Sequence, residues 1–398
     1  MGLRKSFFDL DKCELCGECL HQCPEMGLAL ERAREKKAGI NRGEISRLVS
    51  RACTSCFNCD FYCPNGANPA ESIMEHWWRK YQEHGLPLRA KYFLPIEREN
   101  FRSYVIDRMP EDEKALLLSW NSETRCEEFI YPGCNVCAVP YITMTGLLPE
   151  IPIRGALDWC CGEMIYRMGL YDLFEQQGQR MRARFKELGA KNILMMCTAG
   201  TIIFSKVLPE KFGINFDIKF KPLLQYLWEE MESGRIKIER KLNFTATLQD
   251  SCYSKFMGKE YMELPRKILE RIGIKVKEMP RSKSRAVCCG IGAGFSIDSA
   301  YNPVWLIRST MRRIREAKKT GAEIICAYCA GCLQMLSVGG IFYPGAPDVY
   351  HILELIQMAS GEKPKRRIKE RARLILEGVL KNQAPELLSR KKFFPELK

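Results

Sequence analysis

Short, largely apolar runs alternate with longer amphipathic stretches over most of the chain. Phe129-Ile130-Tyr131, Ile193 to Met196, Phe244 to Leu248 and Ile324-Ile325 have the length and character of buried strands. Met164 to Leu188 and Pro303 to Thr320 read as amphipathic helices that Gly189 and Gly321 end. Strands that alternate with helices predict parallel sheets. The first hundred residues differ. There Leu28 to Lys37 and Glu44 to Ala52 read as helices punctuated by Gly39 and Gly43. The pattern predicts an α+β protein: a mostly helical N-terminal domain followed by two repeated α/β domains with parallel-type strands.

Two features of the pattern bear on the surface. Ile324 to Pro347 is uncharged and long enough to cross a bilayer, but it holds three cysteines, Gln334, a Gly-Gly pair and two prolines. It reads instead as a buried strand, a ligand turn and a loop. Lys363 to Leu376 is a basic helix with Ile368, Ala372 and Ile375 on one side. A solvated end helix is its plain reading, and docking on an acidic subunit or a membrane surface is the alternative.

Composition adds the chemistry. The chain has 398 residues, 20 of them cysteine and only four histidine. That excludes a multi-haem protein or a multi-histidine metal enzyme. The opening segment has no apolar signal core, so metal-bound thiolates in a reducing cytoplasm are expected over disulfides. Met1-Gly2 to Ser6 fits an acylation pattern too loosely to predict a lipid anchor.

Cys13-x₂-Cys16-x₂-Cys19-x₃-Cys23-Pro and Cys53-x₂-Cys56-x₂-Cys59-x₃-Cys63-Pro are two full ferredoxin runs. In such runs three thiolates wrap one cubane and the fourth reaches the other cluster. The spacing therefore assigns Cys13, Cys16, Cys19 and Cys63 to one [4Fe–4S] centre, and Cys53, Cys56, Cys59 and Cys23 to the other. Two adjacent cubanes conduct electrons and do no bond chemistry themselves. Trp77-Trp78, just beyond, is expected to pack a helix onto its own domain.

The other cysteines repeat. Tyr131-Pro-Gly-Cys134, Cys160-Cys161-Gly162 and Cys197-Thr-Ala-Gly200 recur as Gln249-Asp-Ser-Cys252, Cys288-Cys289-Gly290 and Cys329-Ala-Gly-Cys332, at offsets of 118 to 132 residues. This is a duplicated domain. Each predicted strand is followed closely by cysteines, where parallel sheets hold ligands. Each Cys-Cys-Gly is expected to precede a helix, whose first N–H groups would face the cluster. Gly290-Ile-Gly292-Ala-Gly294 resembles a dinucleotide loop, but no strand leads into it. It is expected to admit backbone close to a cluster. The first copy has Gly200 where the second has Cys332. Cys126 and Cys137 are candidate substitutes, and Cys326 is an extra thiol. The boundaries implied are 1–100 for the two-cluster domain with a helical linker to about 125, then 126–241, 242–360 and a tail at 361–398.

These residues resemble the cysteine-rich CCG-domain family, and the whole layout resembles heterodisulfide reductase in its fused form. Glycolate oxidase and anaerobic glycerol-3-phosphate dehydrogenase iron–sulfur subunits share the pattern. The resemblance implies that Cys252, Cys288, Cys289, Cys329 and Cys332 hold a non-cubane [4Fe–4S] cluster that acts as the catalytic centre. It implies that Cys134, Cys160, Cys161 and Cys197 form an incomplete set able to hold a fourth cluster. A disulfide would bind between the two and take one electron from each. Asp250, Tyr253 and Lys255 are candidate proton donors. The alternative is a relay without catalysis, serving a flavin- or quinone-linked complex. Expected partners are other redox subunits, of flavoprotein, hydrogenase, dehydrogenase or cytochrome type, with membrane association through a partner or the basic tail. Lys and Arg exceed Asp and Glu by 14. Each four-thiolate cluster removes about two charges, so the loaded protein carries roughly +6 to +8. That weakens the nucleic-acid reading of a basic chain.

Overall fold

The computed structural model describes residues 6–296 and 301–397. Gly2 and its acylation pattern fall outside them. Nine strands occur among the described residues: β1 (Leu86–Pro87), β2 (Glu128–Tyr131), β3 (Asn192–Met195), β4 (Lys219–Pro222), β5 (Thr245–Gln249), β6 (Lys275–Val276), β7 (Ile324–Ala327), β8 (Asp348–His351) and β9 (Lys392–Phe393). They form three sheets. One has the order β2-β3-β4, another β6-β5-β7-β8, and both are parallel throughout. A parallel bridge from Ile130 to Ile153 sits beside β2 where β6 sits beside β5. The duplication seen in the cysteines is thus also a duplication of topology.

β2, β3, β5 and β7 coincide with the apolar runs. They are buried on both faces, as parallel strands under helices must be. β4 and β8 lie outside those runs. Lys219-Phe-Lys-Pro and Asp348-Val-Tyr-His are edge strands whose outer residues meet water, so they carry no continuous apolar signal.

The stretch expected as one helix from Met164 to Leu188 is two, Glu163–Arg167 and Tyr171–Leu188. Gly169 breaks it at φ 76°. A Cβ there would collide with the Met74 carbonyl of the helix Pro69–His84, so the break lets the first repeat press against the N-terminal domain. The same contact is sealed by Glu71. Its buried carboxylate accepts hydrogen bonds from Tyr166, Tyr171 and Lys211. Trp77 is fully buried and donates to Ser50 Oγ at 3.0 Å, and Trp78 donates to Asp172 of the first repeat at 3.1 Å. Trp77 thus packs onto its own domain as expected, whereas Trp78 bonds across to the first repeat.

The second Cys-Cys-Gly does not open an α-helix. A 3₁₀ turn, Ile291–Gly294, follows it, and the next helix is Pro303–Lys319. The uncharged run from Ile324 folds as β7, a short cysteine turn, the buried helix Ala330–Ile341 and a loop. No described helix is long and apolar enough to cross a membrane. The basic tail is not a free helix. Ile368–Gly378 packs on Ala330–Ile341 and on Phe101–Ile106, and β9 then pairs antiparallel with β1.

Candidate metal centres

The two ferredoxin runs fold alike. Leu15 and Gly17 in the first, and Ser55 and Phe57 in the second, occupy matching positions, and all four have positive φ. Left-handed backbone at Leu15, Ser55 and Phe57 is costly, and it turns consecutive N–H groups toward one concavity. The Ser55 N–H points at Cys53 Sγ at 3.4 Å, and the Ala67 N–H points at Cys63 Sγ at 3.3 Å. Burial pushes the Cys19 thiol up to about 11, Lys37 opposes this, and neighbouring Cys13, Cys16 and Cys63 add to it. Burial pushes the Cys23 thiol up to about 12, with Cys56 adding. Cys19, Cys23, Cys53, Cys56 and Cys59 all line one cavity. Cys63 of the second run thus lies near Cys19 of the first, and Cys23 of the first near Cys56 of the second.

In the repeats, cysteines lie just past the carboxyl ends of β2, β3, β5 and β7. Nine of them, Cys134, Cys160, Cys161 and Cys197 from one repeat and Cys252, Cys288, Cys289, Cys329 and Cys332 from the other, line a single cleft between the sheets. Cys160 and Cys134 sulfurs are 3.6 Å apart. Backbone N–H groups of Gly162, Gly200 and Gly292 point at the sulfurs of Cys160, Cys197 and Cys288 at 3.4, 3.4 and 3.2 Å. Hydrogen bonding from Cys134 holds the Cys160 thiol well below its ordinary range, and Cys252 does the same for Cys288.

Three cysteines are elsewhere. Cys326 is fully buried inside β7 and is a core residue. Cys126 lies at the opposite end of β2, where its thiol donates to the Glu128 carbonyl at 2.8 Å. Cys137 is buried behind the cleft against the Gly133 carbonyl. Neither Cys126 nor Cys137 replaces the missing thiol of the first repeat. Tyr131 fills that place instead. Its ring lies against Gly200 and beside all four thiols of the set, and its hydroxyl donates to the Trp159 carbonyl. The second repeat has the smaller Gln249 at the matching position and Cys332 opposite it.

Two buried arginines join the site without any motif to announce them. Arg102 is fully buried and bonds only neutral groups: Asn135 Oδ1 at 3.0 Å, the Phe93 carbonyl at 3.2 Å and Met164 Sδ at 3.0 Å. It makes no ion pair among the described residues; the Cys134 thiol is held well up by Cys160 and by burial, a rise that the Arg102 charge only opposes. Arg167 donates to the Thr54 carbonyl at 2.7 Å and Ser55 Oγ at 3.2 Å, between Cys53 and Cys56. It also lies 3.8 Å from both Cys252 and Cys288 sulfurs and pairs with Glu163 at 3.0 Å. One residue of the first repeat therefore touches the N-terminal domain and the second thiol set. Gly292 admits it, since a Cβ there would collide with Arg167 and with the Thr54 carbonyl. The glycine turn thus serves an arginine and not a dinucleotide. Sequence carries little signal for either arginine, because their partners come from distant segments.

Of the suggested proton donors, Asp250 is held by Arg266 at 2.8 and 2.9 Å, and Lys255 donates to Asn58 and the Ala286 carbonyl. Tyr253 differs. It is buried at the cleft, and its hydroxyl has no hydrogen-bond partner among the described residues.

The arrangement fits multinuclear iron. Among the described residues no three His, Cys, Asp or Glu side chains group closely enough for a single metal ion. The thiols surround spaces instead, backbone N–H groups aim at sulfur, and Arg102 is a buried cation lacking a carboxylate among the described residues. An anionic cluster held by thiolates satisfies all three.

Comparison with known proteins agrees. A family described as a 4Fe-4S dicluster domain matches residues 5–64, and one described as a cysteine-rich domain, CCG, matches 143–201 and 246–337. The chain is similar to the D-type subunits of dihydromethanophenazine:CoB–CoM heterodisulfide reductases. It is 26% identical to that of Methanosarcina barkeri, covering 89% of this chain and 94% of the relative. It is 26% identical to that of Methanosarcina mazei, covering 90% and 95%. An EtfAB:quinone oxidoreductase of Syntrophomonas wolfei is 22% identical over 84% of this chain and 56% of its own length.

Proposed function

We propose that this chain is a heterodisulfide reductase D-like iron–sulfur protein, an electron-transfer component of an oxidoreductase, and that its electron path ends at the thiol-lined cleft between the two repeats. Iron–sulfur clusters supply one-electron storage and transfer. We assign Cys13, Cys16, Cys19 and Cys63 to one cubane and Cys23, Cys53, Cys56 and Cys59 to the second. The five thiols of the second repeat hold the terminal centre, and the four of the first hold a four-thiolate cluster. The observation that carries this reading is the single cleft shared by nine cysteines from both repeats.

The residues around that cleft suit a disulfide or thiol substrate. Arg167 supplies positive charge where thiolate charge develops. Tyr253 offers an unpaired hydroxyl that can give a proton to a leaving thiolate. A second reading, a relay with no catalysis of its own, is favoured by Tyr131, whose ring stands where the first set would need its fifth thiol. Partners on either reading are redox subunits that give or accept single electrons at the dicluster domain.

Anaerobically purified protein is expected to hold roughly twelve to sixteen iron atoms, in three or four four-iron clusters. A thiol-sensitive paramagnetic signal on oxidation, with disulfide cleavage from a low-potential donor, supports the catalytic reading. Cubane-only spectra, with activity that depends on a co-purifying flavoprotein, support the relay. A colourless, iron-free preparation sinks both.

A further inference from the structure

The helix Ala330–Ile341 carries Cys332 in its first turn. At its opposite end, the start of the tail helix Ile368–Gly378 and the loop into β8 enclose a cavity of about 240 Å³. Leu336, Val349, Ile368 and Ala372 are buried and form its apolar floor. Among the described residues its charged members are Arg366, Lys369 and Arg373, against one carboxylate, Asp348.

Most cations of the tail are already paired. Lys365 and Arg367 meet Asp112, Arg371 meets Glu113, and Lys381 meets Glu377. At the cavity itself Lys369 takes Asp348 at 2.9 Å. Two guanidiniums there are left. Arg373 has no ion pair or hydrogen bond among the described residues. Arg366 lies over the Tyr350 ring, 3.4 Å from its centre, and its Nη2 donates to the Val349 carbonyl at 3.1 Å. Those contacts fix the plane of its fork. Its Nε has no hydrogen bond among the described residues, since the Glu354 carboxylate stands off at 3.7 Å. Burial pushes Glu354 up to about 7, so it balances Arg366 only in part at neutral pH. Ser337 adds a buried hydroxyl oxygen, also without a partner among the described residues.

Buried polar atoms in native proteins nearly always have a partner. Two around one space point to a ligand that supplies it. A guanidinium fork matches the oxygens of a phosphate two at a time. A dianion balances both free arginines, whereas a carboxylate balances one. The apolar floor favours an organic remainder over a bare ion, and the volume keeps that remainder small.

We propose that this cavity binds a small organic phosphate, its oxygens on Arg366, Arg373 and Ser337 and its carbon part on Leu336 and Ala372. An occupant ties the tail to the helix that holds Cys332. The site lies outside the electron path, and binding is measured without turnover.

Calorimetric titration of the iron-loaded protein with phenyl phosphate tests it. One saturable site is expected, at least fivefold weaker for inorganic phosphate and at least tenfold weaker for benzoate. Arg373→Gln and Ser337→Ala are each expected to weaken binding at least fivefold with iron content unchanged. Arg390→Gln removes an exposed tail cation outside the cavity and is expected to change nothing. Equal weakening by Arg390→Gln would show attraction to net charge alone and overturn the site. So would equal binding of benzoate, or wild-type binding by an iron-replete Arg373→Gln protein. Should Ser337→Ala fail to fold, the exposed Arg373 position decides. The same phosphate chemistry reaches the cavity free in solution or on a lipid, and sedimentation with phosphatidic acid vesicles separates the two. Co-sedimentation that Arg373→Gln abolishes assigns the site to a lipid headgroup, and titration without co-sedimentation assigns it to a soluble phosphate. Absence of both overturns the proposal.

Discussion

Arg167 concentrates the electrostatics of the molecule in one side chain. It is buried, it bonds the loop between Cys53 and Cys56, and it stands 3.8 Å from two thiols of the second repeat. A fixed positive charge in a low-dielectric setting favours the more negative, reduced state of a nearby centre. Arg167→Gln is therefore expected to lower the potential of the second-repeat centre by roughly 60 mV or more, a tenfold change in a one-electron equilibrium. Arg167→Lys keeps the charge but loses the planar fork, so its potential should fall between the two. A paramagnetically monitored redox titration at matched iron content reads this, and a Gln variant titrating at the wild-type potential would refute it. Thiol spacing is legible in the sequence because each cubane run is local. Arg167 is not, because its partners Thr54 and Cys288 lie 113 and 121 residues away. Tyr131 is hidden for a related reason: a gap at Gly200 looks like a loss until the ring that fills it is seen.

At the scale of elements, apolar runs disclose the inner strands, while the polar edge strands β4 and β8 stay hidden. β8 ends in a device the sequence also conceals. His351 caps the helix Ile352–Ala359, its Nδ1 accepting from the Leu353 N–H at 3.3 Å, while Glu354 accepts from the His351 N–H at 2.7 Å. Burial pushes the imidazole down to about 4 from 6.5. The folded state thus favours neutral His351. That contribution is complete above pH 6.5 and fades as the pH falls toward 4, where the unfolded chain binds a proton the folded chain refuses. Burial pushes Glu354 the other way, up to about 7, so its contribution is lost as the pH rises from 4.5. The two oppose each other in the wild type. His351→Asn keeps a capping side chain and removes only the first. Its stability relative to wild type, from chemical unfolding at stepped pH, is expected to improve steadily between pH 6.5 and 4. A difference that does not vary with pH would show that the imidazole is not held neutral.

At the scale of the whole molecule, part of the positive charge is spent on closure. Pro110-Glu-Asp-Glu in the linker and the basic tail are each plain in the sequence, but their pairing is not, since some 255 residues separate them. Lys365 and Arg367 meet Asp112 at 3.1 and 3.2 Å, and Arg371 meets Glu113 at 2.5 Å with both side chains fully buried. Beyond them Gln383 donates to the Tyr301 carbonyl at 2.7 Å, and β9 joins β1. The tail is a strap that ties the linker to the second repeat and forms one wall of an apolar cavity. Removing one member of a buried pair leaves the other charge uncompensated, at about 3–5 kcal/mol, whereas removing both is far milder. Glu113→Ala is thus expected to lower stability by at most about that much, since Glu370 still pairs with Arg371 at 2.8 Å. Pairing it with Arg371→Met should recover most of the loss, although Arg367 also leans on Glu113. Thermal unfolding of the iron-loaded proteins measures both. If the single and double variants melt together below wild type, the loss does not come from an orphaned Arg371 charge, and that account of the pair fails. If the double variant recovers, the loss in the single variant came from leaving the buried Arg371 short of a partner, and packing of the tail helix is what holds the linker against the second repeat.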